Sequence, residues 1–262
     1  MKRTSIFVLG ALLAQAASAG VYVELVDREL ANGAVTEEKL SQKIYMQDGS
    51  GRFVDAEGRA TLIKGDTLYI LDDADKSYVA FDKATMEVLA KKINEAMAQA
   101  REQLAKLPPD QRAQMEQMMP GVANADGKWT VEAVDTGKSD KVDGRACHLW
   151  DIKRNGELDD QWCVVPYSAL PGKENFSAVF ANFAKVFEEM AKSVPMLSGM
   201  MSNEFGAQSK VNGFPVRSRS YENGRLSGSE QLMRVWREEA IPASMFNIPA
   251  GYQQKQMSLG DE

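Results

Sequence analysis

Histidine, cysteine and long apolar runs are all scarce in this sequence, and each shortage excludes a class of function. The chain of 262 residues holds one histidine, His148, and two cysteines, Cys147 and Cys163. A Ser-His-Asp triad would have to use His148, and no Gly-x-Ser-x-Gly elbow accompanies it. The cysteines are not a Cys-x-x-Cys pair, which sets aside a thioredoxin-like redox role, and one histidine is a poor start for a metal site. Acid pairs such as Asp72-Asp73 and Asp159-Asp160 sit at turn positions without EF-hand spacing. Gly49–Arg52 and Ala56–Ala60 read as turns, and neither makes a phosphate-binding loop. No catalytic residue, metal or cofactor is therefore expected, and the chain does not read as an enzyme. A basic excess is missing too: 31 Lys and Arg face 37 Asp and Glu, for a net charge of −6. Such a surface repels phosphate backbones, so nucleic acid is not an expected partner. No apolar run reaches the roughly 20 residues that span a bilayer.

What is present begins with an address. The first residues have a basic start (Lys2, Arg3), an apolar run from Ile6 to Ala14, and small residues at Ala17 and Ala19. That is the pattern of a secretory signal peptide, residues 1–19, cut after Ala19, and it implies a soluble periplasmic product. The cut removes two cations and no acids, moving the charge from −6 to −8. The remaining length permits a substantial core without staples. A single domain over 20–252 with a helical insert at 83–120, followed by a flexible tail at 253–262, fits this pattern.

The two cysteines flank "CHLWDIKRNGELDDQWC". Strand-like alternation on both sides of Asn155-Gly156 signals a hairpin. With a three-residue loop, Lys153 pairs with Glu157, and Cys147 falls opposite Cys163 at a separation a disulfide can close. In an oxidising compartment we expect that bond to form. The segment from Lys141, "KVDGRACHLWDIKRNGEL", is echoed from Lys210 by "KVNGFPVRSRSYENGRL". Two copies are too few for a solenoid, so we read two successive hairpins of one antiparallel meander separated by a helix. Other alternating segments bring the expectation to about ten strands in a curved sheet or half-open barrel, an α+β fold.

Two or three helices are expected to cover the concave face. Apolar residues recur at three- and four-residue steps from Lys83 to Leu107, where Pro108 and Pro109 stop the helix. A short helix should follow over 110–119. From Asn175 to Val194 the stripe is wide and aromatic: Phe176, Val179, Phe180, Phe183, Val186, Phe187 and Met190. Fourteen methionines stand beside it. They are core filler at helix ends, the adaptable lining of an apolar pocket, or oxidant sinks, and the sequence does not choose among these.

Taken together, "TLIKGDTLYI", "DKSYVAFD", "LAKLPPDQRAQMEQMM", "KVDGRACHLWDI…DDQWCVV" and "KVNGFPVRSRSY" resemble a bacterial envelope family called domain of unknown function 4412. The likeness runs from about Gly58 to Tyr252. That family in turn resembles the periplasmic lipoprotein carriers (LolA and LolB) and the RseB lipid-sensing domain. The resemblance implies a half-open antiparallel barrel whose hollow, covered by helices, takes acyl chains, with no catalytic residues to carry over. Two readings follow. In the first, the chain is a soluble periplasmic binding or carrier module for an apolar ligand (acyl chain, lipid or hydrophobic peptide), with Phe176, Phe180, Phe183, Phe187 and Met190 as pocket residues. In the second, the barrel is a scaffold and the chain is an envelope interaction or stress-sensing protein whose helical insert meets a partner.

Overall fold

The computed structural model describes residues 19–108, 111, 130–193 and 210–256. Twelve strands form one open, curved sheet: β1 (Gly20–Ala31), β2 (Ala34–Gln47), β3 (Ser50–Asp55), β4 (Ala60–Lys64), β5 (Thr67–Asp72), β6 (Ser77–Phe81), β7 (Val131–Val142), β8 (Arg145–Arg154), β9 (Glu157–Pro166), β10 (Gly213–Glu222), β11 (Arg225–Glu239) and β12 (Gln253–Gln254). Among the described residues two long helices interrupt them, α1 (Lys83–Lys106) and α2 (Lys173–Ser193). The order across the sheet is β12-β6-β5-β4-β3-β2-β1-β11-β10-β9-β8-β7. It consists of two antiparallel meanders, β1–β6 and β7–β11, joined where β1 pairs with β11.

Five connections are two-residue Asx-Gly turns with both residues at positive φ: Asn32-Gly33, Asp48-Gly49, Asp143-Gly144, Asn155-Gly156 and Asn223-Gly224. That geometry matches the twist of the flanking strands, and Asn, Asp and Gly adopt it at the least steric cost.

Several expectations are corrected. Among the described residues there are twelve strands, because Ser50–Asp55 forms β3 and only Asp48-Gly49 turns; Gly49–Arg52 is not a loop. The tail is not free from residue 253. Gln253 N donates to Lys76 O and Lys255 N to Tyr78 O, which adds β12 in parallel to β6. The cysteines are bonded, with Cα atoms 5.3 Å apart, but not through the expected register. The loop has two residues, Arg154 pairs with Glu157, and a bulge after Ile152 sets Cys163 opposite Leu149. Cys147 reaches Cys163 along the diagonal. The repeated Lys-Val-Asx-Gly also serves two purposes: Asp143-Gly144 turns β7 into β8, whereas Asn212 ends a helical turn and Gly213 opens β10. Apart from residue 111, the helix expected at 110–119 lies outside the described residues, as does the signal segment up to residue 18.

α2 lies across the strands on the inner face of the sheet. Phe176 packs on Phe214 of β10 and Trp236 of β11, while Val186 packs with Leu68 of β5 and Phe81 of β6. Ten residues of helix advance about 15 Å. The strands between those contacts span about 34 Å along the sheet. The helix is thus the chord of an arc, which requires the curl. Close approach is allowed at Gly51, where an added Cβ would lie 2.7 Å from Val179 Cγ1. Asn175 ties the helix start to two strand ends, donating to Ala19 O at 2.9 Å and accepting from Asp48 N at 3.0 Å. On the outer face, the chain after β11 runs as a strap. Ile241 and Phe246 pack there on Ala60, Leu62 and Leu71, forming a second core.

Candidate functional site

The stripe on α2 divides by depth. Phe176 is 2% exposed and sits in a cluster of rings, stacked on Phe180 at 4.2 Å and edge-on to Phe214 at 5.5 Å. It is enclosed by the protein's own side chains. Phe180 and Phe183 are half-buried, with ring centroids 6.2 Å apart, and Phe183 touches both the main core and the smaller core beneath α1. The side chains of Phe187 and Met190 lie outside the described residues.

Beside Phe183 a groove of about 610 Å³ opens between the first turn of α1 and the second half of α2. Its floor is Phe81, Met86 and Val186, and its rim carries Asp66, Asp82, Lys83, Lys185 and Glu188. Local sequence explains its walls. Asp82 caps α1 by accepting from Thr85 N at 2.8 Å, and this bond from the backbone N–H of Thr85 holds its carboxyl below the usual carboxylate range. The rim is charged while the floor is apolar. Nothing in the sequence brought Phe81 next to Val186, although Met86 and Val186 belong to helical stripes legible there.

α1 continues beyond this groove. Its first half is docked through Met86, Leu89 and Ala90. Further on, Ile93, Met97, Ala100, Leu104 and Leu107 form a half-buried stripe at helical spacing, between exposed Lys91, Glu95, Arg101 and Glu102.

A second cluster crosses the inner face away from α2. Glu230, 4% exposed, accepts from Arg219 Nε at 2.7 Å and from Arg28 Nη1 at 3.3 Å, and Arg217 Nε lies 3.8 Å away. Arg217 also donates to Asp140 at 2.7 Å, reaching from β10 to β7, which again requires the curl. Glu38 accepts from Arg234 and Arg28, and these hydrogen bonds hold its carboxyl below the usual carboxylate range, as the bond from Arg217 does for Asp140. Carboxylates and guanidinium groups alternate along this row and neutralise one another, so it reads as structural. Polar residues in strand alternation marked it only weakly in the sequence.

His148 is exposed, with Nδ1 3.3 Å from Ser139 Oγ, and neither belongs to a larger constellation among the described residues. Among those residues, no group of three His, Cys, Asp or Glu side chains is placed to hold a metal, and no helix is long and apolar enough to cross a membrane.

Comparison with known proteins adds a family without an activity. A family model described as a domain of unknown function, DUF4412, matches residues 97–252, from within α1 to the end of the strap. No curated protein matches. Among solved structures, an uncharacterized conserved protein from Thermus thermophilus is similar over 91% of this chain and 90% of its own, at 8% identity and a TM-score of 0.42. At that level the likeness carries no argument.

Proposed function

The chain belongs to the DUF4412 family, and from its geometry we propose that it is an exported, non-enzymatic binding module that takes an apolar moiety in the groove between α1 and α2. The single observation that carries this reading is the groove itself, with Phe81, Met86 and Val186 as floor, charged groups as rim, and half-buried Phe183 at its side. Its volume of about 610 Å³ suits a short acyl chain or an apolar peptide segment better than a whole lipid. Export to the periplasm is supported by the basic-apolar-small pattern of residues 1–19 and by the disulfide. The likeness to the lipoprotein carriers and RseB belongs to this proposal and rests on the sequence segments quoted above.

Native mass spectrometry of the protein purified from a periplasm, with lipid extraction, tests the reading. A bound apolar species released on denaturation supports it. In parallel, a Phe180→Trp variant titrated with fatty acid, lysophospholipid or acylated peptide should show a one-to-one change in fluorescence. No bound species, together with an unchanged spectrum and melting temperature at saturation, would replace it with the second reading. That reading is an interaction protein whose partner meets the outer half of α1, and the stripe from Ile93 to Leu107 favours it.

A further inference from the structure

Six large apolar side chains are exposed among the described residues, and three of them, Val35, Leu40 and Leu226, lie on two hairpins that project side by side from the sheet. The other three, Ile70, Val88 and Val134, lie singly on separate elements, where exposure of one residue needs no explanation. In the β1–β2 hairpin all residues from Ala31 to Leu40 are exposed, so neither face is covered there. In the β10–β11 hairpin the same holds from Glu222 to Ser227. The two hairpins abut, since a Cβ at Gly228 would meet Leu30 O at 3.0 Å. Pairing sets Leu30 across from Val35 and Tyr221 across from Leu226. The register shifts just before both pairs, with the extra residues on β2 and β11, while β1 and β10 keep their alternation; Leu30 and Tyr221 therefore share the face of Arg28 and Arg219, and their partners Val35 and Leu226 lie on it too.

We propose that this pair of hairpin tips is a membrane-surface contact that lays Leu30, Val35, Tyr221 and Leu226 into the interface of a zwitterionic bilayer. Two observations select that occupant. The first is area. The patch exposes on the order of 300 Å², within the range of the largest apolar patch on an ordinary monomer and far below the roughly 800 Å² per partner of a stable protein interface. The second is charge. Residues 28–39 carry two cations and three anions, and residues 219–234 carry three cations and two anions, so the fingers are neutral on a chain of net charge −6. An acidic body would be repelled from an anionic surface, whereas neutral fingers with apolar side chains and a tyrosine suit an uncharged interface. The contact does not depend on the groove between α1 and α2.

The test is sedimentation of the full exported chain with phosphatidylcholine vesicles, at low and high salt. The wild type should pellet with the vesicles equally at both. The Val35→Asp/Leu226→Asp double variant should bind about tenfold more weakly or worse, because both charges would enter the interface. Val88→Asp, a change of the same kind on α1, should bind as the wild type does. Since both tip residues are exposed, near-ultraviolet circular dichroism of the double variant should match the wild type, and a Val35→Ser/Leu226→Ser variant should show an intermediate loss. No pelleting of the wild type overturns the proposal, as does equal loss in Val88→Asp or pelleting only with anionic lipid at low salt. A wild-type dimer in light scattering that the double variant dissolves would overturn it too, because the tips would then bind a second copy.

Discussion

Replacing Glu230 with glutamine keeps the shape of the side chain and removes one charge from the middle of the ionic row. The three guanidinium groups of Arg28, Arg217 and Arg219 would then face one another with no carboxylate between them. Two unit charges about 6 Å apart repel by about 3 kcal/mol at an effective dielectric constant of about 20. Arg28 keeps Glu38 and Arg217 keeps Asp140, and Arg219 is 34% exposed, so the full three-way repulsion is not felt. Removing one partner of a buried pair costs about 3–5 kcal/mol, and these compensations place Glu230→Gln at the lower end, about 3 kcal/mol. For a chain of this size that is a fall in melting temperature of about 6–12 °C. Urea unfolding and thermal melts followed by circular dichroism measure it. Adding Arg217→Met to Glu230→Gln removes one of the repelling cations and should restore about 1 kcal/mol or more. A loss below about 0.5 kcal/mol for Glu230→Gln, or losses in the double variant that simply add, would refute the reasoning.

Other changes follow from the same structure. Reducing the bond between Cys147 and Cys163, which are 16 residues apart, should cost about 3 kcal/mol on the chain-entropy account, read as a shift in the urea midpoint; unreduced denatured protein should show no titratable thiol. Gly51→Ala should cost about 1–3 kcal/mol by pressing on Val179 and Phe53, although the backbone there tolerates a side chain, and a melt of this variant checks it. Phe183→Asp should destabilise by several kcal/mol in a thermal melt, because the ring packs on two cores, whereas exposed Lys185→Asp should stay within about 0.5 kcal/mol. The folded-state pKa values of Asp82, Asp140 and Glu38 lie below their unfolded values. Their contribution is therefore fully present above the ordinary carboxylate range and is lost as pH falls through the depressed values. Stability measured across pH should decline on the acid side, below about pH 4. Asp82→Ala, which lacks the cap, should show a shallower decline.

The turns were the most legible part of this chain. Asn155-Gly156 and Asn223-Gly224 announce hairpins because few residues other than glycine and Asx take two successive positive φ angles cheaply. The end of α1 was legible because Pro108 cannot continue a helix, whereas its cap, Asp82, emerged only with the fold. Strand β3 was not legible, since Gly51 and Arg52 blur its alternation and Gly51 is there to admit α2. The bulge after Ile152 also leaves no mark in residue types, yet it changes which side chains face each other. Depth on α2 was hidden for a different reason. Phe176, Phe180 and Phe183 are chemically identical, and only the arrival of Phe214 and Trp236 from strands far along the chain decides which ring is enclosed. The groove floor shares this dependence on distant elements, as does the outer core formed by Ile241 and Phe246.

The pairing of β1 with β11 brings Gly20 beside Glu239. Synthesis delivers Gly20 more than two hundred residues before Glu239. Until the final strands appear, Val21 and Val23 have β2 on one flank only, and Trp236 has not yet arrived to enclose Phe176. The first meander can assemble from neighbours, but it waits with an unpaired edge and an uncovered apolar face. Such late, distant closure slows folding and prolongs exposure to misassociation, because loop entropy must be overcome before the contacts exist. A chain threaded amino-terminus first through a narrow channel would thus leave this sheet unfinished until β11 had followed, with the edge of β1 in need of protection meanwhile.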